Sequence, residues 1–164
     1  GSYCFDGEGT PAREKDVIRE GVLSAFLYDS YAAGKDSVES TGNSSRGGSV
    51  WSFRKPPSIS SSNLVVAPGD SSLEQMIADT RKGVYLRLTW DYPNLATGEL
   101  SGLMMESYFV DNGELQGALK QATIGIGMID MFSRIEAIGK QSRDAFGVRT
   151  PAIKLSSARI GGSD

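Results

Sequence analysis

An α+β fold, a predominantly antiparallel or barrel-like β-sheet with two or three short helices, is predicted by three features of the chain. Apolar runs flank glycine-containing turns at Glu20-Gly21 and Asp111-Asn112-Gly113, which read as hairpins because glycine supplies the positive φ of a tight turn. Strand-like segments dominate the 164 residues. Helical patterns are few and separated, so helices and sheet segregate rather than alternate.

Residues 17–28 form the first hairpin pattern, and residues 29–35 have room for one or two helical turns. Residues 40–48 carry no periodicity and read as loop. That loop continues through Pro56-Pro57 and the following serines, because proline removes a ladder donor and serine favours local backbone bonds. Residues 63–67 are a short strand ended by Pro68-Gly69. Ser71, with Glu74 three residues on, predicts a capping box opening a helix that Gly83 closes. Residues 84–90 are rich enough in aromatic and β-branched side chains to form a strand.

Residues 100–110 read as one long β-stretch running into the second hairpin. Met128, Ile129, Phe132, Ile135 and Ile138 recur at helical spacing and predict a helix over residues 128–138, ending near Gly139 with its apolar stripe in the core. Residues 152–160 read as a final strand. The unpaired edge of the 100–110 stretch is also where self-association is expected, with charge insertion at Leu103 or Met105 as its test.

Composition narrows the chemistry. Lys and Arg number 17 against 20 Asp and Glu, giving net charge −3 with the basic residues dispersed. That disfavours direct nucleic-acid binding, since the nearest basic group is only Arg54-Lys55 with Arg46. No apolar run approaches the roughly 18 residues that span a bilayer, so no membrane partner is expected. The single cysteine, Cys4, cannot close an internal disulfide, and a cytoplasmic location is expected. Histidine is absent. Ser-His-Asp and Cys-His catalysis, and zinc sites with imidazole ligands, therefore cannot be built from this chain alone. Gly1-Ser2 reads as a tag remnant, leaving residues 3–164 as a single domain from a longer protein.

Taken in order, Phe5-Asp6-Gly7-Glu8-Gly9-Thr10-Pro11, Gly21-Val22-Leu23, Ser40-Thr41-Gly42-Asn43 with Arg46, Pro68-Gly69-Asp70-Ser71-Ser72-Leu73-Glu74, Thr97-Gly98-Glu99-Leu100-Ser101, Asp111-Asn112-Gly113-Glu114 and Ile138-Gly139 resemble the C-terminal half of TldD/PmbA-type proteins. Members of that family have been called modulators of DNA gyrase and are classed with metallopeptidases. The resemblance implies a two-domain cytosolic protein that degrades or processes peptides, as a homodimer or as a heterodimer with a TldD-like subunit. It also implies that the catalytic branch binds zinc through a His-Glu-x-x-x-His helix in the N-terminal part and a cysteine before the last strand. Two imidazoles and a thiolate leave one metal position open for a water that attacks the peptide carbonyl. This chain has neither motif, and residues 140–150 contain no cysteine. It looks like the TldE/PmbA branch that lacks the ligands, with no cofactor in this part and zinc belonging to a partner subunit or the full-length assembly.

No catalytic or metal-binding residue is therefore assigned. Candidate peptide-binding residues are Thr97, Gly98, Glu99 and Ser101, whose small hydroxyls, flexible glycine and one acid can line a groove, together with Thr41 and Asn43. The alternative for both segments is a turn whose hydroxyls satisfy local backbone groups. Asp6, Glu8 and Asp29 are acids that could meet as a carboxylate pair or stay in separate turns. Two functions follow: a non-catalytic subunit of a peptidase assembly, or a non-enzymatic module that binds peptides by β-strand addition.

Overall fold

The computed structural model describes residues 3–48, 51–145 and 147–162; the Gly1-Ser2 reading lies outside the described residues. The chain forms two compact units, Gly1–Val65 with Asp144–Arg149, and Val66–Arg143 with Thr150–Asp164. The fold is β-rich, mostly antiparallel, with three short α-helices among the described residues, in agreement with the α+β class.

In the first unit, β1 (Ile18–Arg19) and β2 (Val22–Leu23) pair Ile18 with Leu23 and Arg19 with Val22. Glu20 and Gly21 both take positive φ, 51° and 80°, the twist that lets two antiparallel strands join through two residues. Helix α1 (Ser30–Asp36) starts where the Asp29 carboxylate accepts the Ala32 amide at 2.8 Å, and Lys35 lies in its last turn. The 40–48 stretch is not wholly loop: β3 (Ser44–Ser45) pairs with β4 (Ser58–Ile59). Two residues are too few for a periodicity to register, so only tertiary pairing identifies them. A 3₁₀ turn at Ser52–Arg54 lies between them, and β5 (Leu64–Val65) runs parallel to Val148 and Arg149.

The second unit opens with α2 (Leu73–Ala78), whose capping box is Ser72 with Gln75 rather than Ser71 with Glu74. Ser71 instead stands in a parallel bridge opposite Gly139, its amide donating to Ile138 O and its carbonyl accepting the Lys140 amide. Gly69 enters the same seam so closely that a Cβ there would overlap Ile138 O. The helix also ends sooner than expected, and Gly83 lies inside β6 (Lys82–Leu88). Carbonyls of Thr80 and Arg81 accept the amides of Gly113 and Asn112, which pulls the chain out of the helix.

The expected 100–110 strand is two strands in different sheets. β7 (Glu99–Leu103) is followed by Met104, whose amide bonds to Ala122 O, whereas the next amide, Met105, bonds to Leu88 O. Successive residues thus serve different sheets, and the buried Met104 side chain fixes the crossing. β8 (Glu106–Asp111) pairs with β6 and with β9 (Glu114–Ala118) through the Asn112-Gly113 turn, at φ 47° and 85°. A Cβ at Gly113 would stand 2.7 Å from Ala78 O, so glycine there meets both a turn and a close approach to α2.

β10 (Thr123–Gly127) lies between β7 and β13 (Arg159–Gly161). The expected helix over 128–138 is also shorter. α3 (Met128–Ser133) gives way to β11 (Ile135–Ala145), which neighbours β12 (Val148–Leu155). Ile135 to Gly139 satisfies strand as well as helix spacing, and the 69–71 segment supplies it with backbone partners. The stripe is not core: Ile129 is 85% and Phe132 54% exposed. The expected last strand is divided too, since Ser156 N bonds back to Arg134 O between β12 and β13. Met76, Met104, Val110, Ala122 and Ile126 are the buried hydrophobic side chains of this unit.

Candidate functional site

Thr41 and Asn43 belong to the first unit and Thr97, Gly98, Glu99 and Ser101 to the second. Thr41 is a latch. Its hydroxyl accepts the Tyr28 amide at 2.7 Å and lies 2.8 Å from Asn43 Oδ1. Lys15 Nζ donates to the Thr41 carbonyl and, at 2.8 Å, to Asn43 Oδ1. Burial first, and then the charge of Arg13, hold the Lys15 ammonium below its ordinary pKa, while Asp6 pulls it up. These polar atoms are engaged within the protein, and a ligand reaching Thr41 or Asn43 would have to displace that network.

Asp6, in the same unit, is 5% exposed, with both carboxylate oxygens occupied. Oδ1 accepts the amides of Glu8 and Thr10, and Oδ2 that of Ser44, each at 2.9 Å. Burial pushes its pKa up, but amide bonds from Ser44, Glu8, Thr10 and Gly9 outweigh it and leave the carboxyl below the usual carboxylate range. Glu8 grips the Ser30 amide and hydroxyl at 2.9 and 2.6 Å, and Asp29 caps α1. The three acids therefore serve separate donors rather than facing a common proton. Arg46 likewise donates to the Gly7 and Lys55 carbonyls, and Arg54 lies 5.4 Å from the Trp51 and Phe53 ring centroids.

In the second unit, Asn94 Oδ1 accepts the amides of Ala96 and Thr97 at 2.9 and 3.3 Å, and Thr97 Oγ1 accepts that of Glu99 at 3.3 Å. Gly98 sits at φ 70° and bonds to Asn94 O, while its own carbonyl accepts the Met128 amide. Thr97 and Gly98 thus build a turn, the alternative that the sequence left open. Glu99 and Ser101 differ. They share one face of β7, both are exposed, and their cross-strand partners on β10 are Gly127 and Gly125. Since glycines offer no side chain across from them, the carboxylate and hydroxyl border a bare strip of sheet. Arg159, opposite Gly125 on β13, lies on the same face.

A metal does not fit the described residues. No group of three or more His, Cys, Asp or Glu side chains that could hold one is found among them, and Cys4 is an exposed free thiol. Nor, among the described residues, is any helix long and apolar enough to cross a membrane. Sequence reasoning singled out Asp6 only as one of several acids and passed over Lys15. Asp-Gly-x-Gly-Thr is a turn signal that could have revealed Asp6, but the Lys15 contacts span 26 and 28 residues and leave no local trace.

Residues 1–162 match the sequence model of the PmbA/TldA metallopeptidase C-terminal domain. The chain belongs to the PmbA/TldD family. A metalloprotease of Methanocaldococcus jannaschii is 30% identical over 141 residues, spanning 85% of this chain and 30% of that protein. A Thermotoga maritima structure described as a proposed modulator of a DNA gyrase superposes with a TM-score of 0.84 at 29% identity, over 98% of this chain and 36% of that one. TldE of Thermococcus kodakarensis shares the fold, with a TM-score of 0.87 at 23% identity, over 98% of this chain and 36% of that chain. The chain therefore spans about a third of the length of the relatives it matches.

Proposed function

We propose that this chain is the C-terminal portion of a subunit in a cytoplasmic metallopeptidase assembly that degrades or processes peptides, and that it takes part without supplying the metal. One observation carries this reading: a sequence matched from residue 1 to 162 by a metallopeptidase family has no histidine from which an imidazole-ligated zinc site could be made. Zinc then belongs to a partner, a second copy or a TldD-like subunit, or to the rest of the full-length protein. This chain's part is to shape the groove in which an extended peptide lies. Glu99 and Ser101, beside the glycine strip of β10, are the groups free to meet it.

The test is metal analysis and peptidase assay of the complete protein, alone and with its partner. Zinc and activity only in the assembly support the accessory role. Stoichiometric zinc with peptidase activity in the isolated complete protein overturns it.

A second reading, peptide binding by strand addition without catalysis, is favoured by β9. It ends its sheet in the order β6-β8-β9, and all five of its residues are exposed. Binding of unfolded peptides by this chain, uncut and without a partner, supports that reading. Binding lost whenever the partner is removed counts against it.

A further inference from the structure

A second group of unspent polar atoms lies on the sheet formed by β6, β8 and β9, within the second unit. A cleft of about 320 Å³ is lined by Tyr85 and Arg87 of β6, Tyr108 of β8, Leu115 of β9 and Arg143 of β11. Tyr85 and Tyr108 are cross-strand partners whose rings stack at 6.4 Å between centroids and 27° between planes. With Leu115 they give the cleft an aromatic and apolar floor. Neither phenol hydroxyl has a hydrogen-bond partner among the described residues, and neither has the Arg143 guanidinium. Arg87 is paired with Glu106 across the strands.

Charge selects the ligand. Two guanidiniums and one carboxylate leave the site with one net positive charge, in a chain whose net charge is −3. A monoanion balances that charge, whereas a phosphate monoester, with about −1.5 to −2 charges at neutral pH, would leave an excess. A carboxylate also matches the planar fork of Arg143, which can donate two parallel bonds. The ring floor favours a carboxylate attached to an apolar or aromatic body, and the phenols supply further donors at its edge. By contrast, a smaller cleft of about 220 Å³ in the first unit, lined by Phe26, Tyr28, Asp36 and Ile59 among others, has spent its polar groups, since Tyr28 donates to Asp36 at 3.0 Å.

We infer that Tyr85, Tyr108 and Arg143 form a subsite for the carboxylate of a peptide, with Leu115 holding the neighbouring apolar side chain. The peptide nature of the ligand rests on the function proposed above; the preference for a carboxylate does not. Either a free C-terminus or an acidic side chain can supply the group.

The experiment uses the 164-residue chain and three short Phe-containing peptides: one with a free C-terminal carboxylate, its C-terminal amide, and an amidated version carrying an internal Glu. Binding is read from chemical-shift changes and calorimetry. At least one carboxylate-bearing peptide should bind about tenfold more tightly than the neutral amide, the scale of one charge-assisted bidentate contact. Which one binds identifies the source of the carboxylate. Arg143→Gln should abolish the preference and Arg143→Lys should restore part of it, while Tyr108→Phe should weaken all three peptides less. Equal binding of acid and amide, or a preference unchanged in Arg143→Gln, overturns the subsite. Arg143 is exposed, so loss of folding is not expected, and an unchanged amide spectrum verifies it. A retained acid preference alongside a metal-bearing, active isolated protein would sink the accessory role and leave the subsite standing.

Discussion

In the unit built from Gly1–Val65 and Asp144–Arg149, the buried hydrophobic side chain among the described residues is Ala33, and the buried polar ones are Asp6, Asp29, Ser44 and Ser52. In the other unit, Met76, Met104, Val110, Ala122 and Ile126 are buried and Ser107 is the buried polar residue. The first unit has strands of two residues and draws its order from side chains that bind backbone amides across loops, Asp6 above all. The second has longer strands, seven residues in β6, and an apolar interior. Short ladders bury too little apolar area to organise a fold, so hydrogen bonds made out of reach of water take over that role. Such a region is specific in geometry and sensitive to the charge state of few groups.

Four measurements test this contrast. Met104→Ala, which empties a packed site at the crossing of two sheets, should cost about 3 kcal/mol in chemical denaturation. Its effect should appear in hydrogen exchange of β8 and β10 before that of the first unit. Asp6→Ala should cost about 2 kcal/mol by stranding three amides in a buried site, and here the protection of Ser44 and Thr10 should fall first. If both substitutions loosen the same amides, the two units do not differ as described.

The third measurement is pH. Because the folded carboxyl of Asp6 is held below its usual range, its contribution to stability is fully present above the unfolded-state pKa, about 3.9, and is lost as pH falls through the lower folded value. Unfolding midpoints should therefore decline in acid, and Asp6→Asn should flatten that decline. An unaltered acid profile would remove Asp6 from its central place. The smallest effect is expected at Ser107, whose buried hydroxyl has no partner among the described residues. Ser107→Ala should be neutral or stabilising by up to about 1 kcal/mol, whereas removal of a bonded polar group in the first unit should always be a loss.

What could be read in the chain was mostly local. The two positive-φ turns, α1 after Asp29, the short strand near Leu64 and the β-rich class follow from residues adjacent in sequence, where turn chemistry and capping act without help. The ordered Gly-rich motifs also carried the family. Of the candidate binding residues, Glu99 and Ser101 emerge exposed on one face of β7, Thr97 and Gly98 as turn formers, and Thr41 and Asn43 inside a braced network. Residue type alone could not separate these roles, because a hydroxyl that caps an amide and one that meets a ligand are the same group in different surroundings.

The residues alone dictate where the chain turns and which class of fold results, and they include no imidazole for catalysis or metal binding. Tertiary structure decided the rest where a segment suited two states equally. Ile135 to Gly139 fits helix and strand spacing alike, and backbone bonds to the 69–71 segment resolve it as strand. Residues 100–110 read as one strand until Met104 and Met105 send their amides to different sheets. Ser71 and Ser72 can each open a helix, and the chain places Ser71 in a bridge with Gly139 and Ser72 at the cap. In each case local propensities nearly balance, and a backbone partner distant in sequence supplies the hydrogen bond that tips them.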